Sequence, residues 1–213
     1  MKTIVFAGFR TFGDYAANTT AIVANQIDRK TILGFEIHCD LLNARISQEN
    51  RGRGLLEIAW RLGANGIVAM GMASEKTGLC VESVATNRIY NTKYVPSRMN
   101  NKPINKYRTY GEKCTLDLEP WNILAFQKRC RAEGISIMDT STDAGGFCCN
   151  QLMYQVHVDQ LRDPKKMPFI FIHVPCCPEA VRDMTAFIAA GKVAIEANQV
   201  IRGLELLLEN SSL

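Results

Sequence analysis

The 213-residue chain is predicted to fold as a single α/β domain, residues 1–213, with three α/β/α layers around a mostly parallel, twisted central sheet. Three observations predict it. Short, continuous apolar runs recur along the chain, as strands buried on both faces require. Segments with helical spacing of apolar residues separate them, and that alternation builds a parallel sheet covered on both sides. The composition is 47% hydrophobic, enough at this length for one substantial core, and no internal repeat or low-complexity tract suggests another plan.

Each element has its own signal. TIVFAG (3–8) is an apolar run ending in glycine, the first strand. Asn18 and two threonines offer polar caps for a helix over AIVANQI (21–27). ILGFEIHCDLL (32–42) reads as the second strand, GLLEIAWRLGA (54–64) as an amphipathic helix with glycine near its end, and GIVAMGM (66–72) as the third strand. Residues 91–113 are polar, hold two prolines and form a long excursion. EPWNILAFQKRCRAEG (119–134) starts with acid and proline and ends with basic residues and glycine, as a helix prefers. ISIMDT (135–140) is then a strand, CNQLMYQVHVDQL (149–161) a helix and PFIFIHV (168–174) a strand. A last long helix is expected over 178–209, broken near Gly191 or begun only around Met184.

Composition narrows the function classes. The net charge is only +4 and no run of five basic residues occurs, which weighs against nucleic acid as a partner. The N-terminal MKTIVFAGFRTFG is too short to span a membrane, and no small-residue cleavage site follows it. The expectation is a soluble, cytoplasmic protein with no membrane partner. Eight cysteines, at 39, 80, 114, 130, 148, 149, 176 and 177, then read as free thiols in a reducing compartment. No C-x-x-C pair occurs, and adjacent cysteines do not easily take two corners of one zinc tetrahedron, so no metal site is expected.

In a parallel α/β sheet, ligands bind beyond the carboxyl ends of the strands. FAGFRTFG, GMASEKTG, DTSTDAGGFCC and His173 all fall at such ends, on one rim. Within DAGGFCCN (143–150), the paired cysteines fit two uses: small residues packing a helix start, or a nucleophilic thiol whose pKa the helix N-terminus lowers. A base decides between them. His157 lies eight residues past Cys149, about 12 Å along a helix, and is too far. His38 sits inside an apolar strand. His173 alone stands on the rim, and Glu82, an acid among apolar and small residues, is the candidate to orient it.

These residues carry a family resemblance over essentially the whole chain. GFRTFGDYAAN resembles the GF-x-PFG-x-x-x-x-N of pyroglutamyl peptidase I, the pyrrolidone-carboxylate peptidase family of cysteine peptidases. GMASEKTGLCVESVATN resembles its GQAGGR…I-T-V-E-R-V-A-x-N, VPSRMNNKPI its IPDNxGxxPI, STDAGGFCCN its SNTAGTFVCN, and FIFIHVPCCPE its GFIHVPYLPE. The resemblance implies a Cys149–His173–Glu82 triad that releases an N-terminal pyroglutamyl group from small peptides through an acyl-enzyme, with no cofactor. It implies Phe9 and Phe12 as pocket walls, with Met72, Phe147 and Cys148 completing the substrate-binding set, and assembly as a homodimer or homotetramer.

The departures fall in the pocket. Met72 stands where the family has glutamine, Lys76 and Ser83 where it has arginine, Thr11 for a proline, Asp14 for a glycine and Asp143 for threonine or serine, while TKYVPS replaces DARIPD with an apparent two-residue insertion. These changes keep two alternatives in view: a thiol amidase acting on another N-acyl or lactam-like substrate, and a peptide-binding relative without catalysis.

Overall fold

Apolar runs become strands here because both faces of the sheet are covered, leaving a polar side chain no route to water. The computed structural model describes every residue except 47–48, 91–92, 164, 182–191 and 193. Its strands are β1 (Lys2–Phe9), β2 (Thr31–Ile32), β3 (Phe35–Leu42), β4 (Gly66–Met72), β5 (Cys80–Glu82), β6 (Val84–Thr86), β7 (Lys113–Thr115) and β8 (Phe169–Val174). The main sheet has the order β2-β3-β1-β4-β8-β5, and β6 pairs with β7 in a separate ribbon. β3, β1, β4 and β8 are parallel, and the edge strands β2 and β5 are antiparallel to their neighbours.

Five α-helices lie among the described residues: α1 (Thr19–Ile27), α2 (Arg51–Arg61), α3 (Ile123–Ala132), α4 (Cys148–Gln160) and α5 (Ala197–Asn210). Side chains alternate across each strand and so feed two cores. Ile4, Phe6, Val68 and Ile170 pack with Val23 of α1, Phe126 of α3 and Leu204 of α5. Val5, Ala7, Ile67 and Phe169 pack with Leu55 of α2 and Leu152 of α4. Each large apolar side chain so buried contributes about 1.5–3 kcal/mol. The predicted three-layer α/β/α class is the observed one.

Several boundaries differ, each for a local reason. Residues 32–42 are a tight hairpin and not one strand, because Leu33 (φ 50°) and Gly34 (φ 82°) both turn left-handed between β2 and β3. α2 begins three residues earlier than expected, where the Asn50 side chain accepts the Arg53 N–H at 3.0 Å. The helix expected over 119–134 opens as a 3-10 turn, Glu119–Trp121, and left-handed Asn122 separates it from α3.

Residues 135–140 form no regular strand. Met138 and Ser141 donate to Leu79 and Val81, each at 2.8 Å, so three steps on one side oppose two on β5 and the ladder survives only as isolated bridges. The long helix expected over 178–209 is instead a 3-10 turn at Pro178–Ala180, a bridge at Ala194 and then α5, capped reciprocally by Glu196 and Gln199. Residues 182–191 and 193 of that segment, with Met184 and Gly191, lie outside the described residues.

The excursion after β6 is tied down by one buried side chain. Asn87 shares its amide N–H groups among the carbonyls of Asn105, Arg108 and Thr109 at 3.0–3.2 Å, and its oxygen accepts the Asn105 N–H at 2.8 Å. Asn87→Ala removes the partner of the Asn105 N–H and of the Arg108 carbonyl, while the Asn105 and Thr109 carbonyls keep the N–H groups of Arg108 and Glu112, and should lower stability by about 2 kcal/mol. Urea unfolding checks this, and an unmoved midpoint would show that the clamp holds nothing.

Candidate active site

Strand register brings the site together. His173, on β8, lies opposite Gly71 of β4 and Cys80 of β5, while Glu82 lies opposite Phe171. Glu82 is therefore a diagonal neighbour of His173 on the same face, within reach of a long side chain. Its Oε1 accepts a hydrogen bond from His173 Nδ1 at 2.8 Å. An ionised carboxylate only accepts, so Nδ1 carries a proton and Nε2 is the ring atom left for the cleft. The Phe171 ring packs edge-on against the imidazole at 5.1 Å and limits its rotation.

Cys149 enters from the other layer, in the first turn of α4, whose leading backbone N–H groups have no partner within the helix. The glycine pair ahead of it has two separate uses. Gly145 takes φ 77°, and a side chain on Gly146 would collide with Tyr90. Asn150 anchors the turn by exchanging hydrogen bonds with the Thr86 backbone, both at 2.8 Å. Cys149 Sγ rests over Gly71, where a methyl group would stand 2.8 Å from the sulfur. The nucleophile candidate thus sits above the register partner of the histidine. Among the described residues no hydrogen bond joins Cys149 Sγ to the ring, a looseness common before substrate binds.

Charges decide the protonation states. Burial pushes the Glu82 carboxyl up, but His173 first, then Ser141 and Lys76, outweigh it and its pKa lies below the ordinary value. Lys76 Nζ stands 3.0 Å from the same Oε1. Burial lowers the Lys76 pKa, and Glu82 and Cys80 more than restore it, so the ammonium stays charged. The thiol behaves otherwise than the helix N-terminus alone predicts. Neighbouring Cys148 and burial, with the negative charges of Glu82 and Glu75, push Cys149 well above the ordinary thiol range.

These groups face a cleft of about 550 Å³. Phe12, Met72, Phe147, Cys149 and His173 line it, and Glu82 lies beneath with no exposed surface. Two expected wall residues are elsewhere. Phe9 is buried in the core with Val5 and Leu55, and Cys148 packs beside Leu152, because each side chain falls on the core side of its element. Tyr15 and Tyr94 take their place: Phe12 packs against both, at 5.4 and 5.7 Å, and Tyr94 packs against Phe147 at 5.7 Å. Sequence reasoning missed both tyrosines, although Tyr94 lies in the TKYVPS segment that departs from the resemblance. A larger groove of about 660 Å³ runs between α4 and residues 98–107 and holds none of the candidate chemistry. His157 and His38 stay apart, His157 beside Lys166 and Phe169, His38 beside Arg29 and Glu36. Among the described residues no cluster of three or more His, Cys, Asp or Glu side chains is placed to hold a metal ion, and no helix is long and apolar enough to cross a membrane.

Fold and cleft together define a class, the cysteine-type hydrolases built on an α/β/α scaffold. Within it, the chain belongs to the pyroglutamyl peptidase family, whose model matches residues 1–211, and it is by that membership a cysteine omega-peptidase. The pyrrolidone-carboxylate peptidase of Bacillus mycoides is 26% identical over 215 residues, covering 98% of this chain and 92% of that protein. That of Chromobacterium violaceum is 30% identical over 209 residues, covering 92% of each. Among solved structures, the pyrrolidone carboxyl peptidase of Thermococcus litoralis matches with a TM-score of 0.80 at 24% identity, over 99% of this chain and 93% of that one. Pyroglutamyl peptidase I of Bacillus amyloliquefaciens matches at 0.79 and 18%, over 99% and 94%. At these identities the solved structures speak for the fold.

A raised thiol pKa has a direct readout. Alkylation of Cys149 by iodoacetamide, followed by peptide mass spectrometry, should accelerate about tenfold per pH unit from pH 6 to pH 9 without levelling. A plateau below pH 7 would mean a preformed thiolate and contradict this reading.

Proposed function

We propose that this chain removes the N-terminal pyroglutamyl residue from small peptides, with Cys149 as nucleophile, His173 as base and then acid, and Glu82 orienting the ring. One observation carries it: the buried 2.8 Å bond from His173 Nδ1 to Glu82, in the same aromatic-walled cleft as the Cys149 thiol. Because that thiol is pushed toward its neutral form, His173 Nε2 takes the Sγ proton as sulfur attacks the pyroglutamyl carbonyl carbon. Negative charge moves to the carbonyl oxygen, where the unpaired N–H groups of the first α4 turn can receive it. When the intermediate collapses, the carbon–nitrogen bond breaks and the imidazolium gives its proton to the leaving amine. Water, deprotonated by the same ring, then cleaves the thioester, returning the thiol and releasing pyroglutamate. The flat, uncharged lactam suits a cleft walled by Phe12, Tyr15, Tyr94 and Phe147.

Met72 favours one second reading, a thiol amidase for another N-acyl or lactam-like substrate. Among the described residues its sulfur receives only the Thr19 N–H, at 3.5 Å, and it brings no strong hydrogen-bonding group to the cleft. A site that hydrogen-bonds its substrate discriminates steeply when such groups change.

Hydrolysis of a pyroglutamyl fluorogenic amide tests the proposal. The native protein should turn it over, Cys149→Ala should abolish activity, and Cys148→Ala should stay within about tenfold of native, since Cys148 does not line the cleft. Native protein inert toward this amide, yet with Cys149 acylated by other N-acyl amides, would favour the second reading. Gly71→Ala should reduce kcat/KM by about 100-fold, because the added methyl would stand 2.8 Å from the Cys149 sulfur and 2.9 Å from the Phe171 ring that packs on His173, and displaces them. Undiminished turnover in that variant would mean that the position of Sγ over β4 is immaterial.

A further inference from the structure

We propose that Lys76 is a positioning residue for this reaction: its ammonium, set against the Glu82 oxygen that also holds His173, keeps the imidazole oriented yet uncharged, ready to accept a proton. The inference rests on the function proposed above and adds to it a group outside the triad. Lys76 Nζ lies 3.0 Å from Glu82 Oε1 and 3.5 Å from Cys80 Sγ, and only 14% of its side chain is exposed. Its place is fixed by the turn after β4, in which its N–H donates to the Ala73 carbonyl at 3.1 Å, and by Gly78, whose close approach to Ser136 permits no side chain.

The argument follows from charge. A buried carboxylate alone beside an imidazole favours the protonated ring, and a protonated ring cannot serve as base. Lys76 and His173 meet at one carboxylate oxygen, which puts the ammonium within about 6 Å of the ring, where each like charge disfavours the other. With the ammonium present, neutral ring and carboxylate make a balanced trio, whereas protonating the ring leaves an excess positive charge. A neutral ring matters here because Cys148, burial and the nearby carboxylates all oppose ionisation of the Cys149 thiol before the ring takes its proton. The other groups around the ring are Cys80 from β5, Glu75 from the turn after β4 and Cys149 from α4, with Tyr15, Lys93, Tyr94 and Asp143 further along the cleft. None of these puts a cation on Glu82; among the described residues Lys76 is the lysine or arginine that does.

The test is the pH profile of kcat/KM on a pyroglutamyl amide for native protein, Lys76→Gln, Lys76→Met and Lys76→Arg. Without the charge, the acid limb should move up by about one pH unit, so activity falls about tenfold more at pH 6 than at pH 8. Lys76→Arg should keep the native limb. A loss equal at every pH, or a limb that stays or moves down in the glutamine and methionine variants, would overturn the proposal. NMR titration of the His173 ring in Cys149→Ala, with and without Lys76→Gln, needs no substrate and so separates this inference from the choice of pyroglutamyl peptides. The ring should protonate at higher pH when Lys76 is glutamine, and an unchanged midpoint would overturn it as well.

Discussion

Glu82 Oε1 accepts a hydrogen bond from His173 Nδ1 at 2.8 Å in a place that water does not reach, and much of the surrounding structure answers to that contact. A carboxylate without solvent is tolerable only where other groups replace the lost hydration. The imidazole and the Lys76 ammonium do so at one oxygen, with the Cys80 thiol 3.9 Å from the same atom. The contact also depends on topology. β5 runs antiparallel to β8 at the sheet edge, and that pairing puts Glu82 one diagonal step from His173. The bridges Leu79–Ile137 and Glu82–Ser141 pair residues 137 and 141 with the outer edge of this segment, and Glu82 has no exposed surface.

The second constraint is the approach of α4 to β4. A helix N-terminus supplies oriented N–H groups only where its first turn comes close, and glycines permit that closeness. Gly71 leaves space for the sulfur above the sheet, and Gly146 lets Tyr90 lie against the turn that launches the helix. Asn150 and Asn87, both fully buried, bind this turn and the long excursion to the β6 segment, so the aromatic wall that includes Tyr94 is built onto the same frame. Rigidity of the nucleophile and shape of the pocket thus share their supports.

Much of this was legible in the sequence. Runs such as GIVAMGM and FIFIHV admit few readings other than buried strands, and their ends locate the rim. His173 and Glu82 stood out by elimination, because a histidine at a strand end and an acid in an apolar run each need a partner. What escaped depended on geometry that no period reveals. Phe9 and Phe12 are three residues apart, yet one ends a strand facing the core and the other follows in a loop facing the cleft. Lys76 stood out only as a departure from the family's arginine until the fold set it against Glu82. The hairpin at Leu33–Gly34 was hidden within an otherwise apolar stretch. The helix position argues for a lowered thiol pKa as one of two readings, and the opposing effects of Cys148, burial and two carboxylates emerge only in three dimensions.

The central claim is that the Cys149 sulfur, deprotonated by His173, carries the pyroglutamyl group between the two halves of the reaction. The most direct test is rapid acid quenching during turnover of a pyroglutamyl amide, followed by peptide mass spectrometry. The account predicts a transient pyroglutamyl mass on the peptide containing Cys149, located at that residue by fragmentation and absent from Cys176, Cys177 and Cys80. Product formation with no such adduct in the quenched samples, or an adduct on another residue, would contradict it.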